Sequence, residues 1–202
     1  QYQDNAPSIQ EELEKAVFRF TGESLRVKGA GRTDAGVHAR GRVVAFDTAT
    51  SYPPQTYLSA LNYYLPDDIA VKAAHRAPSD FDPRRMASSR RYSFTIECGP
   101  VPSPLMRRTA HHVASPLDVP RMRRAARHFV GRHGFARFAG PLSRRGASTV
   151  REVHEASVRR RGDIVTLEVE GDSFLPHQVR RMAGALVDVG LGSLAPAQLR
   201  SM

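Results

Sequence analysis

The chain predicts a mixed α+β fold: two α/β-sandwich halves of ferredoxin-like kind, whose antiparallel-type sheets can join side by side and leave a groove between them. Three observations predict it. Helix-period runs alternate with strand-period runs along the 202 residues. A stretch rich in proline and polar residues, 99–117, interrupts them and divides the chain into halves at 1–100 and 101–202. Two late strand patterns are joined by Arg161-Gly162-Asp163, a hairpin signal that makes neighbouring strands antiparallel.

The elements follow in order. Ser8-Ile9-Gln10-Glu11 is a capping-box pattern, Ile9, Leu13, Ala16, Val17 and Phe20 recur at helical spacing, and Gly22 ends the run. Strands are expected at 25–28 and 42–47, flanking a glycine-hinged loop. Pro53-Pro54 opens a second helix with Leu58, Leu61 and Leu65 on one face. Pro66-Asp67-Asp68 stops it, and Ile69 to His75 reads as a further strand. From Ser89 to Glu97, Tyr92, Phe94 and Ile96 alternate with Arg91, Ser93 and Thr95, as a half-buried strand requires. Asp118 caps a third helix with Pro120 in its first turn and Met122, Ala125, Ala126, Phe129 and Val130 inward, and Gly131 closes it. Strands at 149–158 and 163–170 form the hairpin. Asp172 or Ser173 then caps a last helix running to about Val189.

The net charge is +10, and only Lys15, Lys28 and Lys72 of the 30 basic residues are lysines. Arginine's planar fork suits phosphate contacts and base stacking, so a polyanionic partner is expected. A GC-rich genome would also enrich arginine and alanine. Cys98 is the sole cysteine, which excludes an intrachain disulfide and a cysteine metal cluster. His38, His111, His112 and His177 do not share one helix face at metal spacing, so no metal is expected. No apolar run is long enough to cross a membrane and no secretory leader is read, so a soluble, cytoplasmic protein is expected.

Three segments could carry chemistry. In Gly31-Arg32-Thr33-Asp34-Ala35-Gly36-Val37-His38-Ala39, one carboxylate sits between glycines on a basic chain. It suits a nucleophile or general base aimed at a polyanion. The plain alternative is a turn in which Asp34 caps local amides. Gly29-Ala30-Gly31 and Gly36 faintly echo a dinucleotide fingerprint, but no helix follows to receive a pyrophosphate, and no phosphate loop of the Gly-Lys-Ser/Thr kind is present. Phe81-Asp82-Pro83-Arg84-Arg85 and Ser89-Arg90-Arg91-Tyr92-Ser93-Phe94 interleave basic residues with aromatics, as RNA grips do and as solvated strands also do. In Gly171-Asp172-Ser173-Phe174-Leu175-Pro176-His177-Gln178-Val179-Arg180-Arg181-Met182-Ala183-Gly184, Arg180 leaves near the edge of an apolar stripe. It either reaches a carboxylate in a cleft or snorkels at the surface.

Taken together, these segments resemble the TruA family of tRNA pseudouridine synthases in order and approximate spacing, from Ser8 to about Gly192. The resemblance implies RRM-like α+β halves around a deep basic cleft, a homodimer, and cofactor-free isomerisation of uridine to pseudouridine in the tRNA anticodon stem-loop at positions 38 to 40. It places Asp34 on the catalytic aspartate, Tyr92 on the tyrosine that packs against the target nucleotide, and Arg180 on the arginine that pairs with the aspartate. It places Arg32 on an arginine that helps hold the flipped nucleotide. There are departures. Family members begin with a strand and an aromatic turn where this chain opens at Gln1-Tyr2-Gln3, and continue past Met202 to a final strand, so both terminal strands are expected to be missing. Gln178 stands where a methionine is common, and His133-Gly134-Phe135 replaces a usual His-Asp-Phe.

Overall fold

A computed structural model describes residues 8–142 and 146–201. The opening Gln1-Tyr2-Gln3 and Met202 therefore lie outside the described residues. The chain divides into two compact units, the first ending at Ala87 and the second beginning at Ser88.

In the first unit, helix α1 spans Ile9–Thr21. Ser8 Oγ accepts the Glu11 N–H at 3.2 Å, and Gly22, with φ +77°, donates its N–H to the Phe18 carbonyl. Only one half of the expected capping box is seen, because the Glu11 carboxylate pairs with Lys15 at 2.7 Å. Helix α2 spans Pro54–Tyr64. Leu13, Ala16, Val17, Val27, Leu61 and Leu65 form the buried cluster between these elements. Phe20 packs on the rings of Tyr52 and Tyr57. The expected strands shrink to β1 (Lys28–Gly29) and β2 (Val44–Ala45), paired antiparallel.

The strand expected over 69–75 does not form. Its apolar alternation is used, since Ile69 and Val71 pack on the cluster. Its backbone, however, is bonded by a side chain: Asn62 Nδ2 donates to the Val71 carbonyl at 2.8 Å, and Asn62 Oδ1 accepts the Val71 N–H at 2.7 Å. One amide thus satisfies both groups that a neighbouring strand would have paired.

The second unit is built on a five-stranded sheet of β3 (Arg90–Cys98), β4 (His111–Val113), β5 (Gly131–Gly134), β6 (Val150–Arg161) and β7 (Ile164–Gly171), in the order β4-β3-β7-β6-β5. All neighbours are antiparallel except β3 and β4, which run parallel with Ile96 opposite His111. Because β3 pairs along its length with β7, it belongs to the second unit's sheet. The boundary expected at 99–117 would sever that ladder, and 111–113 supplies the edge strand β4. The β6–β7 hairpin turns at Gly162, with φ +59°.

Along β7, Val165, Leu167 and Val169 are buried, while Thr166, Glu168 and Glu170 lie on the other face. Helices α3 (Val119–Ala126) and α4 (Gln178–Leu191) cover the apolar face, with Met122, Phe129, Met182 and Leu186 fully buried against Ile96 and Leu167. Gly190 permits a close contact between α4 and α3, since a Cβ there would sit 2.8 Å from Met122 Sδ. Cys98 is buried in this core, and burial pushes its thiol pKa up. No helix among the described residues is long and apolar enough to cross a membrane.

Candidate active site

Asp34 and Arg32 lie on the exposed 30–43 loop between β1 and β2. The Val37 N–H donates to the Asp34 carbonyl at 3.2 Å. Gly36, the third residue of that turn, has φ +77°, which a type II turn requires and a side chain resists. Both limbs of the loop are tied down. The Ala30 N–H donates to the Val43 carbonyl at 3.0 Å, the Arg42 guanidinium donates to the Gly31 carbonyl, and the Lys72 ammonium donates to the Arg40 carbonyl. A glycine turn on pinned limbs presents a carboxylate at the tip of a defined loop.

Asp82, before β3, sits in a local turn of its own. Its Oδ1 accepts the N–H groups of Arg84 and Arg85 at 2.8 and 2.9 Å. Those two donors hold its carboxyl below the usual aspartate range.

In the second unit, Tyr92 and Arg180 flank one segment, residues 171–177. Tyr92 is half-buried on β3, its ring edge-on to Phe174 with centroids 5.2 Å apart. Arg180 is exposed in the first turn of α4. The segment is tightly fitted at both ends. A Cβ at Gly171 would lie 2.5 Å from the Glu152 carbonyl oxygen. The Gly140 N–H donates to the Pro176 carbonyl at 2.7 Å, a Cβ at Gly140 would lie 2.9 Å from His177 Cδ2, and the Arg181 guanidinium donates to the Ala139 carbonyl.

The start of α4 departs from expectation. Asp172 and Ser173 do not cap it; Asp172 Oδ1 accepts the Glu152 N–H at 3.2 Å and the Ser173 hydroxyl at 3.1 Å, closing the end of the sheet. The helix begins at Gln178, after His177 in the left-handed region at φ +60°. His177 is the one non-glycine residue with positive φ among the described residues, a conformation costing about 1–2 kcal/mol. Gln178, only 1% exposed, reaches back so that its Oε1 accepts the Leu175 N–H at 2.8 Å, while its own N–H donates to the Leu175 carbonyl at 3.1 Å. This copies half of a capping box in the turn just ahead of the helix, with leucine where the hydroxyl residue would stand. Sequence reasoning gave Phe174 only to the apolar stripe, His177 to a loop and Gln178 no role in starting the helix. Their visible signal is a proline and a buried-position glutamine interrupting an apolar stripe.

The opposite face of β3 carries a different constellation. Arg91 stands directly across from Glu170. The Ser89 hydroxyl donates to Glu170 Oε1 at 2.6 Å and Arg91 Nε donates to Oε2 at 2.9 Å. The serine hydroxyl first, and the guanidinium with it, hold the Glu170 carboxyl below the usual glutamate range. Of the histidines, His112 Nε2 contacts the Gly99 carbonyl oxygen at 2.7 Å. Among the described residues no group of three His, Cys, Asp or Glu converges in a way that could hold a metal.

Comparison with known proteins bears on both units. The chain is 42% identical over 199 residues to tRNA pseudouridine synthase A of Pelobacter propionicus, covering 98% of this chain and 81% of that protein. It is 44% identical to tRNA pseudouridine synthase A of Geobacter sulfurreducens, covering 100% and 82%. Against the enzyme of that name from Myxococcus xanthus the figures are 45% identity, 95% and 72%. A family profile described as tRNA pseudouridine synthase matches residues 1–84 and 125–202. The first matched span holds the Asp34 loop and the second holds the start of α4, so the chain belongs to the tRNA pseudouridine synthase family.

Proposed function

We propose that this chain isomerises uridine to pseudouridine in the tRNA anticodon stem-loop, at positions 38 to 40, with Asp34 as the attacking carboxylate. It would work as a homodimer built from two ferredoxin-like halves. The observation that carries the reading is the Asp34 loop: a lone acid on a glycine-hinged, pinned turn, inside a span that matches the family.

The target base is stacked in an RNA stem and must be extruded, which costs a few kcal/mol that phosphate contacts to arginines offset. Asp34 then attacks, either at uracil C6 or at ribose C1′. Both routes break the N1–C1′ bond, rotate the base, form a C5–C1′ bond and release the C5 proton, while N1 ends protonated. Substrate and product are isomers, so no oxidant, reductant or co-substrate enters the balance. Tyr92 supplies a stacking face beneath the base, braced by Phe174. Arg180 pairs with the Asp34 carboxylate and fixes its rotamer, and Arg32 holds the flipped nucleotide.

The test is tritium release to water from tRNA labelled at uracil C5, beside Asp34→Ala. Wild-type release with none from the variant, and tRNA binding nearly intact in both, is expected. Near-normal release from Asp34→Ala would remove Asp34 from the chemistry. Binding without release by the wild type would make the chain an RNA-binding module.

A further inference from the structure

Residues 119–151 contain nine arginines and no aspartate or glutamate, where the chain's average would place about three acids. The segment includes α3, whose inward face is Val119, Met122, Ala125 and Ala126. Arg123, Arg124 and the following Arg127 are exposed. At helical spacing, Arg127 lies one turn from both Arg123 and Arg124, so like charges face each other and weaken the helix. Among the described residues no carboxylate pairs with any of the three.

The patch is fixed in place and set apart from Arg180. Arg123 Nε donates to the Val158 carbonyl of β6 at 2.9 Å, while Gly190 of α4 packs on Met122 from the other flank of α3. The arginine row therefore faces away from α4. Two residues beyond Val158 on the same face of β6, about 7 Å on, Arg160 adds a fourth guanidinium, its Nε donating to the Gly162 carbonyl at 2.9 Å. Phe129, Phe135 and Phe138 of this segment are buried, and His128 beside Arg127 is half-buried. The surface thus offers mainly forks for phosphate and no exposed phenyl, tyrosyl or indole ring for a base, as backbone contact without sequence reading requires. Arg123 and Arg124 fall between the two spans that match the family, and Arg127 and Arg160 lie within the second.

We propose that Arg123, Arg124, Arg127 and Arg160 form a second docking surface, which grips the phosphate backbone of the tRNA outside the anticodon stem-loop. The proposal rests on the reading that the chain binds tRNA.

The test is equilibrium binding of whole tRNA and of the isolated anticodon stem-loop hairpin. Each is titrated between about 50 and 200 mM salt, using wild type, the triple variant Arg123→Gln/Arg124→Gln/Arg127→Gln, and the matching triple lysine variant. Glutamine and lysine both favour helix, so α3 persists, and circular dichroism verifies it. For whole tRNA, the slope of log affinity against log salt should fall by about 2–3 in the glutamine variant. It should stay near wild type with lysine, and hairpin binding should not change. An unchanged slope with tRNA, or an equal loss with the hairpin, would overturn the second surface. Pseudouridine formation measured alongside separates the two readings: no product with the slope loss intact would sink the synthase assignment and leave the surface standing.

Discussion

Gln178→Met tests the turn that starts α4. Leu175 is 5% exposed and Gln178 1%, and the Leu175 N–H has Gln178 Oε1 as its acceptor at 2.8 Å. Methionine keeps the volume and removes that acceptor. An orphaned buried N–H costs about 1–3 kcal/mol. Part returns, because the glutamine Nε2 has only the Met182 sulfur at 3.8 Å, a weak partner whose loss matters little. The net expectation is a destabilisation of about 1–2 kcal/mol, worth roughly 2–4 °C of melting temperature per kcal/mol for a chain of this size. Gln178→Ala should cost more, about 2–4 kcal/mol, since a cavity adds to the orphaned donor. The chain has no tryptophan, so urea unfolding is best followed by far-ultraviolet circular dichroism. Hydrogen exchange at the Leu175 amide gives a second readout, expected to quicken more than its neighbours in the methionine variant. A Gln178→Met protein as stable as wild type, with a protected Leu175 amide, would refute the argument that this side chain holds the turn.

Two further expectations follow from the site. Arg180→Lys keeps the charge but loses the fork, and should lower turnover by roughly tenfold or more with tRNA binding little changed; wild-type turnover would dismiss the proposed Asp34–Arg180 pair. Glu170 has a folded pKa below its unfolded one, so the stability its pairing with Ser89 and Arg91 contributes is present at neutral pH and is lost as pH falls through the folded value. The stability gap between wild type and Glu170→Gln, measured by urea unfolding, should therefore be open above about pH 5 and close below the ordinary glutamate value of about 4.3. A gap that persists at pH 2 would assign the effect to packing instead.

Features set by near neighbours were legible in the sequence. Ser8 and Gly22 bound α1, Asp118 caps α3 by accepting the Arg121 N–H at 2.9 Å, and Gly162 turns the hairpin. Features decided by distant partners were not. The three residues of β4 form a strand only because Ile96 to Cys98 lie beside them. Asp172 carries a capping signal, but Glu152 claims its carboxylate and α4 starts six residues later. Ile69 to His75 has strand periodicity, and Asn62 answers its backbone. The same division holds at the site. The Asp34 loop could be read from its glycines, whereas Arg42 and Lys72, which pin it, act through contacts formed only on folding.

The buried Cys98 has a practical consequence. Being the sole thiol, buried at the end of β3 with its pKa raised by burial, it is shielded from alkylation while this part of the second unit stays closed. Each opening of that end of the sheet exposes it. The rate at which an alkylating reagent marks the protein therefore counts spontaneous openings in unaltered material, with no label introduced. If RNA binding steadies the sheet, adding tRNA will slow that clock, and the degree of slowing will report how much of the binding free energy reaches the core.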